Sequence, residues 1–409
     1  MSVVPRIARQ GRSRVKMTEP AIVAGVGMHE FGRFPDASLK DLARVAIARA
    51  LDDAGLGVKD VDAVYSSNAL AGVLQGQEQI RGQSVLRDVG VDRVPIVNVE
   101  NACAGASTAF AQAVLAIRAG AARAVLAVGF EKMFVADTAR SLDALESAAD
   151  IETVAGLGLQ FTAIYAMRIR RKLDAGDLEP RHLVDVAVKS HRNGSLNPYA
   201  QFQKVFSADE IVSSRPIADP LTLLMCSSIC DGAAAAVLVA ADHPAVSSSH
   251  PAVRVRASVV GSGYAHVDSG DPSIITLCAE SAYKQAGIGP EDLDIAEVHD
   301  AMAPGELLYY EQLGLCEPGG AGELLDSGAT QIGGAIPVNT SGGLCSRGHP
   351  VGATGLAQIA EIVWQLRGEA GERQAGRPTI GLAQNSGGWL EGDPAAVCIH
   401  ILERAKPWD

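Results

Sequence analysis

Two segments of this chain repeat each other without a gap: AGLGVKDVDAV at 54–64 and AGIGPEDLDIA at 286–296, at an offset of 232 residues. Each reads as a glycine-capped helix end, an acidic turn and the start of a Val/Ile-rich strand. The correspondence extends in both directions. AIVAGVG at 21–27 and VRVRASVVG at 253–261 are strands, each followed by an amphipathic helix, over 39–54 and 274–286. Further on, IVNV at 96–99 runs into CAGAS at 103–107 and an Ala-rich helix to 119, then a strand at 124–128. Its counterpart is IPVN at 336–339, a glycine-rich loop to His349-Pro350, a helix over 352–366 and a strand at 379–383. A chain duplicated in this way folds as two βαβαβ halves, each a sheet with helices on its faces. The expected fold is α/β, a five-layer α-β-α-β-α body with the halves related by a pseudo-twofold axis.

Residues 136–221 interrupt the first half and are richer in charge, so they read as an inserted loop or cap domain. The expected organisation is a first half over 18–135 and 222–250, the insertion between them, and a second half over 251–409. The insertion carries a basic cluster, Arg168, Arg170, Arg171 and Lys172. It reads either as a solvated helix face or as a landing site for the phosphates of a nucleotide-like ligand. Residues 1–17 carry Arg6, Arg9, Arg12, Arg14 and Lys16 without an apolar stretch, which suggests a flexible basic extension rather than a signal peptide.

Composition excludes several classes. With 47% apolar, 4% aromatic and 20% charged residues, the chain is that of a globular α/β protein packed with small side chains. A net charge of −12 argues against a nucleic-acid binder, which needs a basic face. No apolar run is long enough to span a bilayer. The seven cysteines are irregularly spaced and form no disulfide framework, so a reducing cytoplasm is expected. Cys226 and Cys230 lack a second pair or an adjacent histidine, and no metal site is read there.

The chemistry gathers at equivalent points of the two halves. Cys103 lies between a strand end and a helix start, where the helix dipole and free N–H groups favour the thiolate and lower its pKa. His349, pinned between Gly348 and Pro350, lies at the matching junction and is suited to act as a base. The repeat brings both junctions to one cleft. His299 ends the strand 295–298 and could hydrogen-bond a thioester oxygen. Gly387 and Gly388, after Asn385 and Ser386, could offer a backbone N–H to an oxyanion hole. Tyr309 and Tyr310 read as core or cap-facing residues.

These residues carry a family resemblance. NACAGASTAF around Cys103, GFEKM at 129–133, NPYAQFQ at 197–203, DGAAAAVL at 231–238, HDAM at 299–302, ELLYYEQLGLC at 306–316, SGGLCSRGHPVGATGLAQIAE at 341–361 and WQLRGEAGERQ at 364–374 occur in order from about residue 20 onward. Together they resemble the thiolase superfamily, and within it the sterol-carrier-type, lipid-transfer thiolases. The resemblance implies that Cys103 takes the acyl group, that His349 activates it and that His299 helps bind the thioester oxygen. It implies coenzyme A thioesters as substrates, with the CoA entering across the inserted domain and no covalently bound cofactor. A homodimer, or a tetramer built from two, is also implied.

One departure bears on mechanism. Claisen-forming thiolases use a second cysteine as acid/base, in a Cys-x-Gly or a His-Asp-Cys-Phe motif. Here those places read Ala383-Gln384-Asn385-Ser386-Gly387-Gly388-Trp389 and His299-Asp300-Ala301-Met302. Cys345, four residues before His349, is a candidate substitute. The expected activity is acyl transfer through acyl-Cys103, forming or cleaving a C–C bond β to a CoA thioester. The alternatives are a retro-aldolase acting on a β-hydroxyacyl-CoA and a non-catalytic acyl-CoA or lipid-binding subunit. Thiolase-like proteins with such changes resemble subunits that pair with a small zinc-ribbon/OB-fold partner.

Overall fold

A computed structural model describes residues 20–154, 160–247, 250–265 and 270–405. The basic extension and the last four residues lie outside the described residues. Nine strands form one sheet: β1 (Ala21–Met28), β2 (Ala63–Ser67), β3 (Ile96–Val99), β4 (Ala124–Lys132), β5 (Asp231–Ala240), β6 (Val253–Ser262), β7 (Ile295–Glu297), β8 (Ile380–Gly387) and β9 (Ala396–Arg404). Their order is β3-β2-β4-β5-β1-β6-β9-β8-β7, and Val338 adds a parallel bridge to Ala296 beyond β7. Read outward from the centre, both halves have the same order and the same parallel and antiparallel pairings. The two half-sheets meet where Ile22 and Val23 of β1 pair with Arg254 and Val253 of β6.

The repeated segments do the same work in both halves. Gly57 N–H is capped by Asp60 at 2.7 Å, and Gly289 N–H by Asp292 at 2.9 Å. Asp62 Oδ2 accepts the main-chain N–H groups of Arg123 and Ala124 at the start of β4. Asp294 Oδ2 does so for Thr379 and Ile380 at the start of β8. Each acidic turn therefore closes a 3₁₀ turn and fixes the first residues of a neighbouring strand. That is why the aspartates recur at the repeat offset.

Four helices complete the layers. Helix α1 (Leu39–Asp53) opens on a Ser38–Asp41 capping box and buries Leu42, Ala46, Ile47 and Ala50 against the first half-sheet. Helix α3 (Ile274–Ala286) buries Ile275, Cys278, Ala279 and Ala282 against the second and ends at Gly287 in the left-handed region. Between the half-sheets lie α2 (Gly105–Arg118) and α4 (Thr354–Arg367), buried on nearly every side. Phe110, Val114 and Ile117 of α2 share one buried cluster with Leu356, Ile359 and Val363 of α4 and with strand residues of both halves. The buried polar groups of α4 are paired, as Gln358 is with Gln384 O and Glu361 with Arg373, and the two helices form the middle layer of a five-layer body.

The central helices cross at their first turns. A Cβ on Gly355 would stand 2.6 Å from Ser107 N, so only glycine permits this approach. The crossing brings the N-termini of α2 and α4 together. Gly355→Ala forces the helices apart and is expected to cost about 1–3 kcal/mol. A lowered thermal midpoint of the purified variant checks this; a midpoint equal to the parent chain's would refute the tight crossing.

Between β4 and β5 the chain forms the helices Thr138–Glu146, Ile151–Val154, Phe161–Ala175, Pro180–Ser195 and Ala208–Ser213, followed by a short hairpin at 216–222. Helix Pro180–Ser195 runs beside the second half: Lys189 Nζ pairs with Glu306 and donates to the carbonyl of Val338 at 2.9 Å, all buried.

Candidate active site

Cys103 sits in the 3₁₀ turn Ala102–Ala104 that leads into α2. Ala102 is held at φ 47°, a conformation non-glycine residues rarely take. Its N–H is tied to Glu100 Oε1 at 2.5 Å. This sharp strand-to-helix turn turns the thiol outward, toward β8. That strand comes close because Gly387 has no side chain: a Cβ there would lie 2.2 Å from Asn101 O. Gly388, at φ +66°, follows. Its main-chain N–H and that of Cys103 both favour negative charge on the sulfur.

His349 Nε2 lies 3.3 Å from Cys103 Sγ. On the far side of the ring, Nδ1 meets Thr354 Oγ1 at 2.7 Å, while that hydroxyl donates its hydrogen to Pro350 O at 3.0 Å. The hydroxyl has one proton and spends it on Pro350, so His349 Nδ1 carries the hydrogen and Nε2 presents a lone pair to the thiol. His299 is oriented in the opposite sense. Gln358 Nε2 donates to Gln384 O, which leaves Gln358 Oε1 to accept from Asn385 Nδ2 at 2.7 Å. The same amide nitrogen faces His299 Nδ1 at 3.2 Å. His299 Nδ1 is thus the acceptor and its Nε2 holds the proton. The two rings stand edge to face, 5.0 Å between centroids. Cys103, His299 and His349 bring one donor atom each to within 4.8 Å of one another.

The site is electrically neutral at rest. Burial, reinforced by the Glu131 carboxylate, pushes the Cys103 thiol up to about 12. This reverses the expected lowering: the two N–H groups do favour the thiolate, but loss of solvent and the charges of Glu131 and Glu100 outweigh them. Burial also holds His349 well below its ordinary range and His299 down to about 3, with Arg347 adding to both. Thiol and imidazole therefore face each other uncharged, one proton lying between base and nucleophile.

A cavity of about 140 Å³ opens over these three residues. Its walls include Met133, Leu145, Phe161, Ile164, Met302 and Trp389, with Ser227, Ser386 and Gly388 also in the lining. Ala301 and Met302 line it at the place where the second cysteine of sterol-carrier-type members was sought.

Several expected residues lie elsewhere. Asn385 and Gly387 do not line the cavity: Asn385 is fully buried and orients His299, and Gly387 lets β8 approach the Cys103 turn. Of that trio, Gly388 alone reaches the cavity. Cys345 is no acid/base neighbour. Its thiol donates to Leu224 O at 3.1 Å beside His191 and Cys226, outside the cavity lining, because the helix Gly343–Arg347 turns it toward helix Pro180–Ser195. In the basic cluster, Arg170 pairs with Asp219, and Lys172 binds Asp177 and Glu311 at 3.0 and 2.7 Å. Arg168 lies over the Trp389 ring in the cavity wall. Tyr309 and Tyr310 are buried, and Tyr309 OH meets the OH of Tyr165, a cavity residue, at 3.0 Å.

Sequence reasoning missed Thr354, Gln358 and Glu131. Glu131 Oε2 accepts the N–H groups of Ala69 and Gly352, joining the loop after His349 to the loop after β2. The motifs GFEKM and HPVGATGLAQ carry all three. Their polar positions in otherwise apolar runs were the available signal.

The neutral resting state predicts that iodoacetamide alkylates Cys103 at a rate rising about tenfold per pH unit from pH 7 to 10 without levelling. A plateau near pH 8 would overturn it. Thr354→Val removes the acceptor that fixes the His349 tautomer and is expected to slow reaction at Cys103 by about 10–100-fold, measured by single-turnover mass spectrometry. An unchanged rate would show that Thr354 does not set the tautomer.

Comparison with known proteins places this geometry. The N-terminal domain model of the thiolase family matches residues 21–242, and a thiolase C-terminal domain-like model matches 268–403. The chain is 41% identical over 387 residues to an acetyl-CoA acetyltransferase of Methanothermobacter thermautotrophicus, covering 93% of this chain and 99% of that protein. It is 35% identical to sterol carrier protein 2 of Gallus gallus, covering 91% of this chain and 70% of that one. Among solved structures, the Ltp2-ChsH2(DUF35) aldolase superposes with a TM-score of 0.79 at 27% identity, over 96% of this chain and all of that one. The chain belongs to the thiolase family, an acyltransferase-class enzyme whose substrates are coenzyme A thioesters.

Proposed function

We propose that the chain transfers acyl groups through a thioester on Cys103, making or breaking the C–C bond β to a CoA thioester. The 3.3 Å approach of the His349 lone pair to the Cys103 thiol carries this reading. As the sulfur adds to the thioester carbonyl carbon, its proton passes to His349 Nε2. The carbonyl oxygen, now negative, is met by the N–H groups of Cys103 and Gly388 and by the Nε2–H of His299. Collapse breaks the bond to the CoA sulfur, and His349 returns the proton to it. Acyl-Cys103 then passes its acyl group to the α-carbon of a second thioester, or the sequence runs in reverse as thiolysis.

Ala301 and Asn385 supply no thiol acid/base for the α-proton. A second substrate whose α-proton is already acidic needs only a weak base, and His349 Nε2 can take that proton and pass it to the Cys103 sulfur as the acyl group leaves; a partner subunit is the other source of a base. We read residues 136–221 as the inserted domain that walls the acyl cavity. Leu142, Phe161, Tyr165 and Arg168 from this stretch line it, which supports the reading. A homodimer or tetramer, a small zinc-ribbon/OB-fold partner and a cytoplasmic location belong to the same proposal. No helix among the described residues is long and apolar enough to cross a membrane. A second reading, an aldolase that cleaves a β-hydroxyacyl-CoA, draws support from the superposed DUF35 aldolase complex and from the missing second cysteine.

The test incubates the purified chain with a panel of acyl-CoA thioesters and reads the mass of the Cys103 peptide. An acyl increment, lost in Cys103→Ala, is expected. No increment with any thioester, or aldehyde or ketone release that survives Cys103→Ala, would overturn acyl transfer, and the latter result would establish the second reading.

A further inference from the structure

Arg168 is an unusual member of the cavity wall. It stands on helix Phe161–Ala175 with its guanidinium 5.7 Å from the centroid of the Trp389 ring, and both residues line the same cavity as Cys103. Its neighbours in the basic cluster do not share this position. Arg170 and Lys172 are bound to carboxylates, and Arg171 is exposed and outside the lining. Among the described residues Arg168 makes no ion pair. Glu146, the one carboxylate of the cavity wall, is not paired with it. The Arg168 charge is felt by the buried phenols of Tyr165 and Tyr309, so it acts inward, on the cavity side of the helix.

A guanidinium has five donors in a rigid fork that matches a carboxylate or phosphate. The guanidinium makes a cation–π contact with Trp389 and has no ion-pair partner among the described residues, so its donors are free for a ligand. Many of the other residues lining this cavity are apolar, Leu142, Phe161, Ile164 and Met302 among them. Such a wall suits a carbon chain, and a lone cation in it is stabilised only when an anion arrives with that chain.

We propose that Arg168 anchors the free carboxylate of an acyl group whose thioester end lies at Cys103, so that the substrate class is carboxyacyl-CoA. This rests on the acyl-transfer reading for the identity of the ligand, but its test does not need turnover. An anion at Arg168 could be supplied either by the acyl chain or by the phosphates of CoA, and the arms of the experiment separate the two.

The experiment measures binding of two thioethers that cannot acylate Cys103, S-(3-carboxypropyl)-CoA and S-butyl-CoA, by calorimetry. The same pair is then measured on pantetheine, which carries no phosphate. The parent chain is expected to prefer the carboxylate by about tenfold or more in both series. In Arg168→Met, which keeps the apolar stem, the preference falls to about one, and Arg168→Lys retains part of it. A parent preference near one, or one unchanged in Arg168→Met, overturns the proposal. So does a substitution that weakens both CoA thioethers alike and leaves both pantetheine thioethers unaffected, since the anion is then a CoA phosphate. A carboxylate preference that depends on Arg168 while no thioester ever labels Cys103 keeps this proposal and removes the acyl-transfer reading.

Discussion

The structure depends on the close crossing of α2 and α4. Each helix begins at a reactive residue or just after one, and each is the central helix of its own half. Gly355 lets the second helix rest on the main chain of Ser107. Because the crossing lies in the first turn of both, the loops just before them, which hold Cys103 and His349, are forced to face each other. The 3.3 Å contact between thiol and imidazole follows from helix packing in the core, not from the loops alone.

Around that contact the polar groups form a directed chain. Pro350 O, Thr354 and His349 point one way, and Gln384, Gln358, Asn385 and His299 point the other. One imidazole accepts and one donates, although both are buried and neutral. Burial thus has two effects in opposite directions. It suppresses the thiolate before substrate arrives, and it strengthens every donor aimed at the charge that develops once the sulfur attacks. A neutral resting pair also avoids the cost of burying two ions whose partner is absent.

Much of this was legible in the sequence because it is periodic. The repeat at 54–64 and 286–296 gave the duplicated halves, and the strand-to-helix junctions gave Cys103 and His349. What was not legible depends on side-chain direction. Asn385 was placed in a loop with the oxyanion candidates, yet β8 runs four residues past the expected end at 383, and Asn385, inside that strand, turns inward onto His299. Cys345 is near His349 in number, but the short helix between them rotates its thiol toward Leu224 O. The pKa of Cys103 was read from the helix N-terminus alone. Burial and then Glu131 contribute the larger effects, and neither is visible from the residues next to Cys103. The basic cluster had the same ambiguity, since two of the carboxylates that occupy it, Asp219 on Arg170 and Glu311 on Lys172, lie far away in the chain.

The glycine-mediated crossing has a consequence for traffic. Base and nucleophile belong to different halves, and those halves are joined by the close approach at Gly355 and by the interdigitated side chains of α2 and α4. They also share a sheet edge between β1 and β6. Such a joint does not slide. Substrate exchange therefore cannot proceed by parting the two halves as a clam parts its shells. The wall contributed by Leu142, Leu145, Phe161, Ile164 and Arg168 lies outside that joint, so a change in access falls on this side of the chamber rather than on the pairing of base and nucleophile.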